Sequence, residues 1–195
     1  MKKLLLLFLL SLGLIGSANA NSIEGAFGYK LGEVFNSSVK GTYVHIFNPK
    51  KRLSAFNRYS ISTTVTDKKI GYISALTRDE NYSVNSEYCT PMPSSPHHKV
   101  LSLLQAKYGK FEKLFEQHKK YEWNNGEVHE IEYEFSDGDR TIYLKCETYT
   151  EVPNGKGTYI LYLRYIDWIL NRRATQEYDE LRKNNLKDEA KDYDL

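Results

Sequence analysis

The chain contains 195 residues with a formal net charge of +2, and 41% of its residues are hydrophobic. Nucleic-acid-binding domains are usually strongly basic on one face, whereas the charges here are balanced, so we expect no nucleic-acid partner. The length is sufficient for one domain with its own hydrophobic core.

Residues 1–20 have the pattern of a secretory signal peptide. Lys2 and Lys3 precede an apolar block over residues 4–15, and small residues follow up to Ala20. The block is shorter than the roughly twenty apolar residues that a membrane span requires. We therefore expect cleavage after Ala20, a periplasmic or secreted protein, and no stable membrane span after cleavage.

Three glycines follow, Gly25, Gly28 and Gly32, and with Lys30 they suggest a phosphate-binding loop. Such a loop requires a buried strand before the glycines, a helix after them, and a different glycine spacing. The predicted cleavage site stands where that strand would be. We expect instead that the glycines permit tight turns, which pack the segment onto the core through apolar neighbours. These neighbours are Phe27, Leu31, Val34 and Phe35.

The first half of the mature chain contains three strand signals and a polar segment. Residues 41–47 are rich in β-branched and aromatic side chains, residues 59–65 alternate, and a polar turn leads into a strand over residues 70–76. Residues 77–95 are polar and hold Cys89, so we predict a loop there. Ser95 is a natural helix N-cap, Pro96 suits the first helical position, and Gly109 is a natural stop.

The second half contains the clearest strand pattern. Residues 130–135 alternate glutamate with apolar side chains, and Asp137 with Gly138 predicts a tight turn into a strand over residues 141–148. Further strands are predicted over residues 158–166 and, with a weaker pattern, 119–123. A helix over residues 167–184 follows, and the charged residues 186–195 predict a flexible tail.

These elements predict an α+β fold, in which antiparallel sheet and two helices form one domain over residues 21–185. The order of strands, helix, strands and helix is compatible with a degenerate duplication of a meander-plus-helix unit. Cys89 and Cys146 are the two cysteines of the chain, and disulfides persist in exported proteins. We expect them to form a structural disulfide rather than free thiols or a redox pair, since redox pairs are usually spaced C-x-x-C.

No residue pattern marks a catalytic or metal site. His97 and His98 are adjacent, which differs from the i, i+4 spacing of helical zinc sites. Glu130, Glu132 and Glu134 share one strand face, where pairing with Lys145 on the next strand explains them. We expect no enzyme activity, no metal and no cofactor. An enzyme remains an alternative if two of a small set of side chains converge in a pocket; this set is His45, His129, Glu130 and Glu132.

The sixteen tyrosines are the most prominent compositional feature. Tyr43, Tyr72, Tyr143 and Tyr162 are predicted to point outward from strands, where they would form a stacking platform for a glycan or peptide if no helix covers them. Tyrosine is also common in strands for structural reasons.

Several segments together resemble a family of small exported bacterial proteins of unknown function. They are GAFGYKLGEVF at residues 25–35, NRYSI at 57–61, TDKKI at 66–70, the run from Cys89 to LLQAKYG at 103–109, and YLKC at 143–146. The resemblance implies an exported protein with one cysteine pair and carries over no activity or catalytic residue.

The sequence therefore predicts an exported, non-catalytic binding protein of the cell envelope, whose partner is another envelope protein or a small ligand. Two alternatives stay open. One is a small-ligand carrier with a cavity between the sheet and the helix that begins at Ser95. The other is an inhibitor or immunity protein that acts against a cell-wall hydrolase.

Overall fold

The computed structural model describes residues 22–36, 43–83, 88–121, 126–151 and 156–192. The predicted signal peptide lies outside these residues. The described part contains nine strands and two helices. The strands are β1 (Gly25–Ala26), β2 (Tyr29–Lys30), β3 (Val44–Ile46), β4 (Arg58–Thr63), β5 (Ile70–Ser83), β6 (Glu112–Tyr121), β7 (Gly126–Asp137), β8 (Arg140–Glu151) and β9 (Lys156–Asp167); the helices are α1 (Pro96–Tyr108) and α2 (Trp168–Asp192).

Seven strands form one antiparallel sheet in the order β3-β4-β5-β9-β8-β7-β6, while β1 and β2 form a small separate hairpin. The pairing of β5 with β9 joins a three-stranded meander from the first half of the chain to a four-stranded meander from the second half. The α+β fold is thus confirmed. Each meander is followed by a helix, so the duplication stays a hypothesis that the element order supports.

The helix α1 covers one face of the sheet, here called the inner face. The Ser95 hydroxyl accepts a hydrogen bond from the His98 backbone N–H, and Gly109 ends the helix with a φ of 98°. The helix buries a stripe against β7 and β9, in which the Tyr108 ring contacts Phe135 and Tyr165. Members of the stripe are His97, Val100, Leu101, Leu104 and Tyr108.

The predicted disulfide is present. Cys89 and Cys146 are joined by an S–S bond of 2.05 Å, and both are almost completely buried. Cys146 lies on the inner face of β8, as its alternation with Leu144 predicts. The bond ties the chain just before α1 to the second meander.

The N-terminal glycine segment packs onto the inner face, as expected. Ile23 is completely buried, and Phe27 forms edge-to-face contacts with the rings of Phe56, Tyr59 and Tyr165. Gly25 is required in the small hairpin, because an added Cβ would lie 2.2 Å from the Tyr29 carbonyl oxygen. Val34 differs from the prediction, since it is 57% exposed.

The helix α2 crosses one end of the sheet. The Asp167 side chain accepts a hydrogen bond from the Leu170 N–H and so caps the helix start. Further along, Glu177 Oε2 accepts hydrogen bonds from the N–H groups of Val65 and Thr66, at 2.6 and 2.9 Å, just after β4. The next residue, Tyr178, contacts the ring of Tyr43 just before β3 at a centroid distance of 4.4 Å. The helix therefore passes β5, β4 and β3 in turn.

Replacing Gly71 with alanine tests this packing. An added Cβ would lie 2.7 Å from the Asn171 nitrogen and 2.8 Å from the Leu170 carbonyl carbon, both in the backbone of α2. Because backbone atoms cannot rotate away, we expect the free energy of unfolding to fall by about 1–3 kcal/mol. Chemical denaturation measures the loss, and hydrogen exchange should show it in α2 while α1 keeps its protection. Unchanged stability and exchange would mean that α2 does not pack on β5.

Three predicted boundaries were wrong. Strand β5 continues through Thr77 to Ser83, where a loop was predicted, because it pairs with β9 up to Ser83, with a register shift between Asp79 and Tyr82. The weak strand predicted over residues 119–123 begins earlier, because β6 pairs with β7 from Glu112 onward. The helix α2 continues to Asp192 and takes in most of the predicted charged tail.

Candidate functional site

The opposite face of the sheet, here called the outer face, brings three of the four predicted tyrosines together. Tyr72 on β5, Tyr162 on β9 and Tyr143 on β8 share this face, because the register pairs Tyr72 with Ile166 and Tyr143 with Arg164. All three are half-buried, and no helix in the described residues lies over them. We call Tyr72, Tyr143, Tyr162 and Arg164 the tyrosine–arginine face.

Arg164 lies at the centre of this group. Its guanidinium carbon is 5.0 Å from the centroid of the Tyr162 ring, a cation–π distance. Its Nε atom is buried without a hydrogen-bond partner. Within the described part of the chain, no carboxylate forms an ion pair with Arg164, whereas Arg140 and Lys145 on the neighbouring strand each have one. The guanidinium thus keeps a positive charge and an unused donor in a semi-enclosed aromatic setting.

Burial and neighbouring charges shift the pKa values of two tyrosine hydroxyls on this face. Burial raises the pKa of Tyr72, and the nearby Arg164 charge acts in the opposite direction. A hydrogen bond to the Glu134 carboxylate raises the pKa of Tyr143, and burial adds to it. Both phenols therefore remain protonated at neutral pH and are available as donors and acceptors.

Two depressions flank Tyr162. The first has a volume of about 270 Å³ and lies toward the start of α2, where the Trp168 indole donates a hydrogen bond to Thr141. The second has a volume of about 380 Å³ and lies toward β3. The first is lined by Glu132, Tyr143, Lys145, Tyr162, Arg164, Ile166 and Trp168. The second is lined by Ile46, Arg58, Tyr59, Ser60, Tyr72, Ser74, Leu76 and Tyr162.

Two of the three glutamates predicted to pair with Lys145, Glu130 and Glu132 on β7, form ion pairs with it, and Glu147 on β8 adds a third. Lys145 contacts Glu130, with Glu132 at 3.3 Å and Glu147 at 3.6 Å. Burial opposes ionisation of Glu130, but its hydrogen bonds with Lys145 and Gln117 outweigh that effect and lower its pKa. The lowered pKa of Glu130 is the opposite of the raised pKa that a general acid requires.

The fourth predicted tyrosine lies apart from the others. Tyr43 packs against Tyr178 of α2, so it contributes to the seating of that helix. Arg164 and Trp168 were not among the predicted site residues. The alternation of β9 already places Arg164 on the face of Tyr162, and this signal could have identified it.

The histidines and glutamates of the enzyme alternative do not converge. His45 is buried on β3, with Nε2 3.4 Å from the Thr63 hydroxyl, at one edge of the sheet. His129 lies near the other edge, where its Nε2 atom is 3.7 Å from Glu116. Glu130 and Glu132 point to the opposite face from His129. No group of three or more potential metal ligands occurs in the described segments.

Among the residues that the structure describes, no helix is both long enough and apolar enough to cross a membrane. The buried disulfide is consistent with an exported protein. A scan against protein-family models gives no match, and a search of curated proteins gives none either.

Proposed function

We propose that this protein is an exported, periplasmic or secreted, non-catalytic binding protein of the cell envelope. Its binding site is the tyrosine–arginine face with the adjoining depressions. Export is supported by the signal-peptide pattern of residues 1–20 and by the disulfide, which suits an oxidising compartment.

The observation that carries the proposal is the position of Arg164. Arg164 is half-buried, and its Nε–H donor is buried without a hydrogen-bond partner, which is unfavourable in a purely structural role. An incoming anionic group would supply that partner, and arginine binds carboxylates with planar, two-point geometry.

The rings around Arg164 indicate what else the ligand carries. Tyr162, Tyr143 and the 41% exposed Trp168 present flat apolar surfaces with a polar edge. They suit the face of a sugar ring or an apolar side chain next to the anionic group. The ligand class is therefore a carboxylate-bearing glycan or peptide.

Native mass spectrometry of the protein purified from the cells that export it tests the proposal. We expect the wild type to carry additional bound mass. Replacing Arg164 with glutamine should reduce its occupancy about tenfold or more, since a charge-assisted hydrogen bond contributes roughly 1.5–3 kcal/mol.

Arg182→Gln is the matched control, because Arg182 is exposed on α2, away from the face. It should retain the bound mass. A wild-type protein without bound mass would contradict the proposal, and so would an Arg164→Gln variant that keeps its ligand.

A further inference from the structure

The two edges of the seven-stranded sheet differ in how they are protected. The edge strand β6 carries exposed Lys113, Lys119 and Lys120 and a register shift between Lys113 and Phe115. Lysines and bulges are devices that prevent an edge from pairing with another strand. The opposite edge strand, β3, consists of Val44, His45 and Ile46. Its short length also limits pairing, but it carries neither a lysine nor a register shift.

The hydrogen bonds of β3 show which of its backbone groups are unused. The Thr63 N–H donates to the Tyr43 carbonyl at 2.8 Å, and the Phe47 N–H donates to the Tyr59 carbonyl at 3.2 Å. Bonding alternates along an antiparallel strand, so Val44 and Ile46 direct their N–H and C=O groups away from β4. In the described part of the chain, no strand pairs with that side.

The side chains at this edge are apolar and exposed. Val44 is 45% exposed and Ile46 is 89% exposed, and both lie on the outer face. An edge strand with free backbone groups and uncharged, exposed side chains is a template for an added strand.

We propose that β3 pairs antiparallel with β3 of a second copy of this chain, across a twofold axis at His45. The strand is self-complementary in this arrangement. Val44 of each copy lies opposite Ile46 of the other, so each of these two pairs exchanges two backbone hydrogen bonds, and the apolar side chains meet on the outer face.

The remaining groups at the axis permit the pairing. The two His45 rings meet on the inner side, and burial, assisted by the charge of Lys68, lowers the pKa of His45, so that both rings are neutral at pH 7. The helix α2 contacts the chain just before β3, where Tyr178 packs on Tyr43. The twofold axis places the two α2 helices at opposite ends of the paired β3 strands.

The pairing also extends the proposed binding site. Ile46 lines the depression of about 380 Å³ beside Tyr72 and Tyr162, and this depression faces the β3 edge. A second copy would border it with its own Val44, which lies opposite Ile46, and make the outer faces of the two sheets continuous. The dimer nevertheless does not depend on the proposed ligand, because the paired groups are all on β3.

Sedimentation velocity of the mature protein tests the pairing. The interface between the two β3 strands is smaller than a standard protein–protein interface, so we expect weak association. The weight-average mass should rise toward that of a dimer as the protein concentration increases from about 10 µM to about 1 mM. Ile46→Lys places on β3 the charge that protects β6, and it should weaken association at least about tenfold. Because Ile46 is almost fully exposed, this variant should fold normally. Leu103→Lys, at a 58% exposed position on α1, is the control and should associate like the wild type.

Amide hydrogen exchange gives a second readout. Protection of the Val44 and Ile46 amides should increase with protein concentration in the wild type and stay absent in Ile46→Lys. A wild type that remains monomeric at about 1 mM would overturn the proposal. An association that Ile46→Lys leaves intact, or that does not protect these two amides, would overturn it as well. None of these outcomes depends on whether Arg164 binds a ligand.

Discussion

Loss of the disulfide between Cys89 and Cys146 should lower the free energy of unfolding by about 4 kcal/mol. The bond closes a loop with a sequence separation of 57 residues, and in the chain-entropy account such a loop restricts the unfolded chain by that amount. A typical domain has about 5–15 kcal/mol of stability in total. The protein without the bond should therefore be marginally stable.

The measurement compares urea unfolding of the oxidised wild type, the reduced wild type and the Cys89→Ala/Cys146→Ala variant. The reduced protein isolates the effect of the bond, because both thiols still fill their buried positions. The double variant should lose somewhat more, since each replacement leaves a small cavity in the core. A difference below about 1 kcal/mol between oxidised and reduced protein would show that the unfolded chain is already restricted in this region.

The second large effect concerns His97, whose protonation should destabilise the protein by about 3 kcal/mol between pH 7 and pH 4. His97 is 2% exposed, neither ring nitrogen has a hydrogen-bond partner, and its ring packs on Tyr133. Burial, with the charges of His98 and His129, lowers the pKa of His97 from 6.5 to about 4. One pKa unit corresponds to about 1.4 kcal/mol.

The direction of the effect follows from proton binding. Between pH 6.5 and pH 4 the unfolded chain binds a proton at His97 and the folded chain does not, so stability falls as the pH falls through this window. Below the folded pKa the loss is complete. Above pH 6.5 both states are neutral at this position, and stability there does not depend on His97 protonation.

His97→Phe keeps a flat ring on Tyr133 and removes the titrating group. Carboxylates also contribute to acid unfolding, so the informative quantity is the difference between wild type and variant across the pH range. We expect His97→Phe to retain about 3 kcal/mol more stability at pH 4 than the wild type does, relative to pH 7. His97→Leu covers the case in which phenylalanine is too large. His118→Gln, at an exposed position, is the control, and parallel curves for wild type and both His97 variants would contradict the prediction.

The strongest local patterns were sufficient to predict several elements. The hairpin of β7 and β8 follows from strict alternation and the Asp137-Gly138 turn, and α1 follows from Ser95, Pro96 and Gly109. These signals act over a few residues, so they do not depend on what packs against them. The disulfide followed from the number of cysteines and the predicted compartment.

Other elements required tertiary contacts. The residues of β6 are mostly polar and exposed, and they form a strand because β7 offers a pairing partner. The polar second part of β5 is a strand because β9 continues beside it. The last part of α2 is polar on all sides, so its periodicity gave no sign of a helix.

The candidate site was also predictable only in part from the sequence. Alternation along single strands determined that Tyr72, Tyr143 and Tyr162 point outward, and it also determined the side on which Arg164 lies. Only the register of β5, β9 and β8 decided that these four side chains meet, and that Tyr43 instead packs on α2. The sequence by itself thus determined the cysteine pair and the local direction of side chains, and it predicts export. The tertiary structure decided which strands are neighbours and which edge is open, because strand pairing joins residues that are far apart in the chain and whose local patterns are alike.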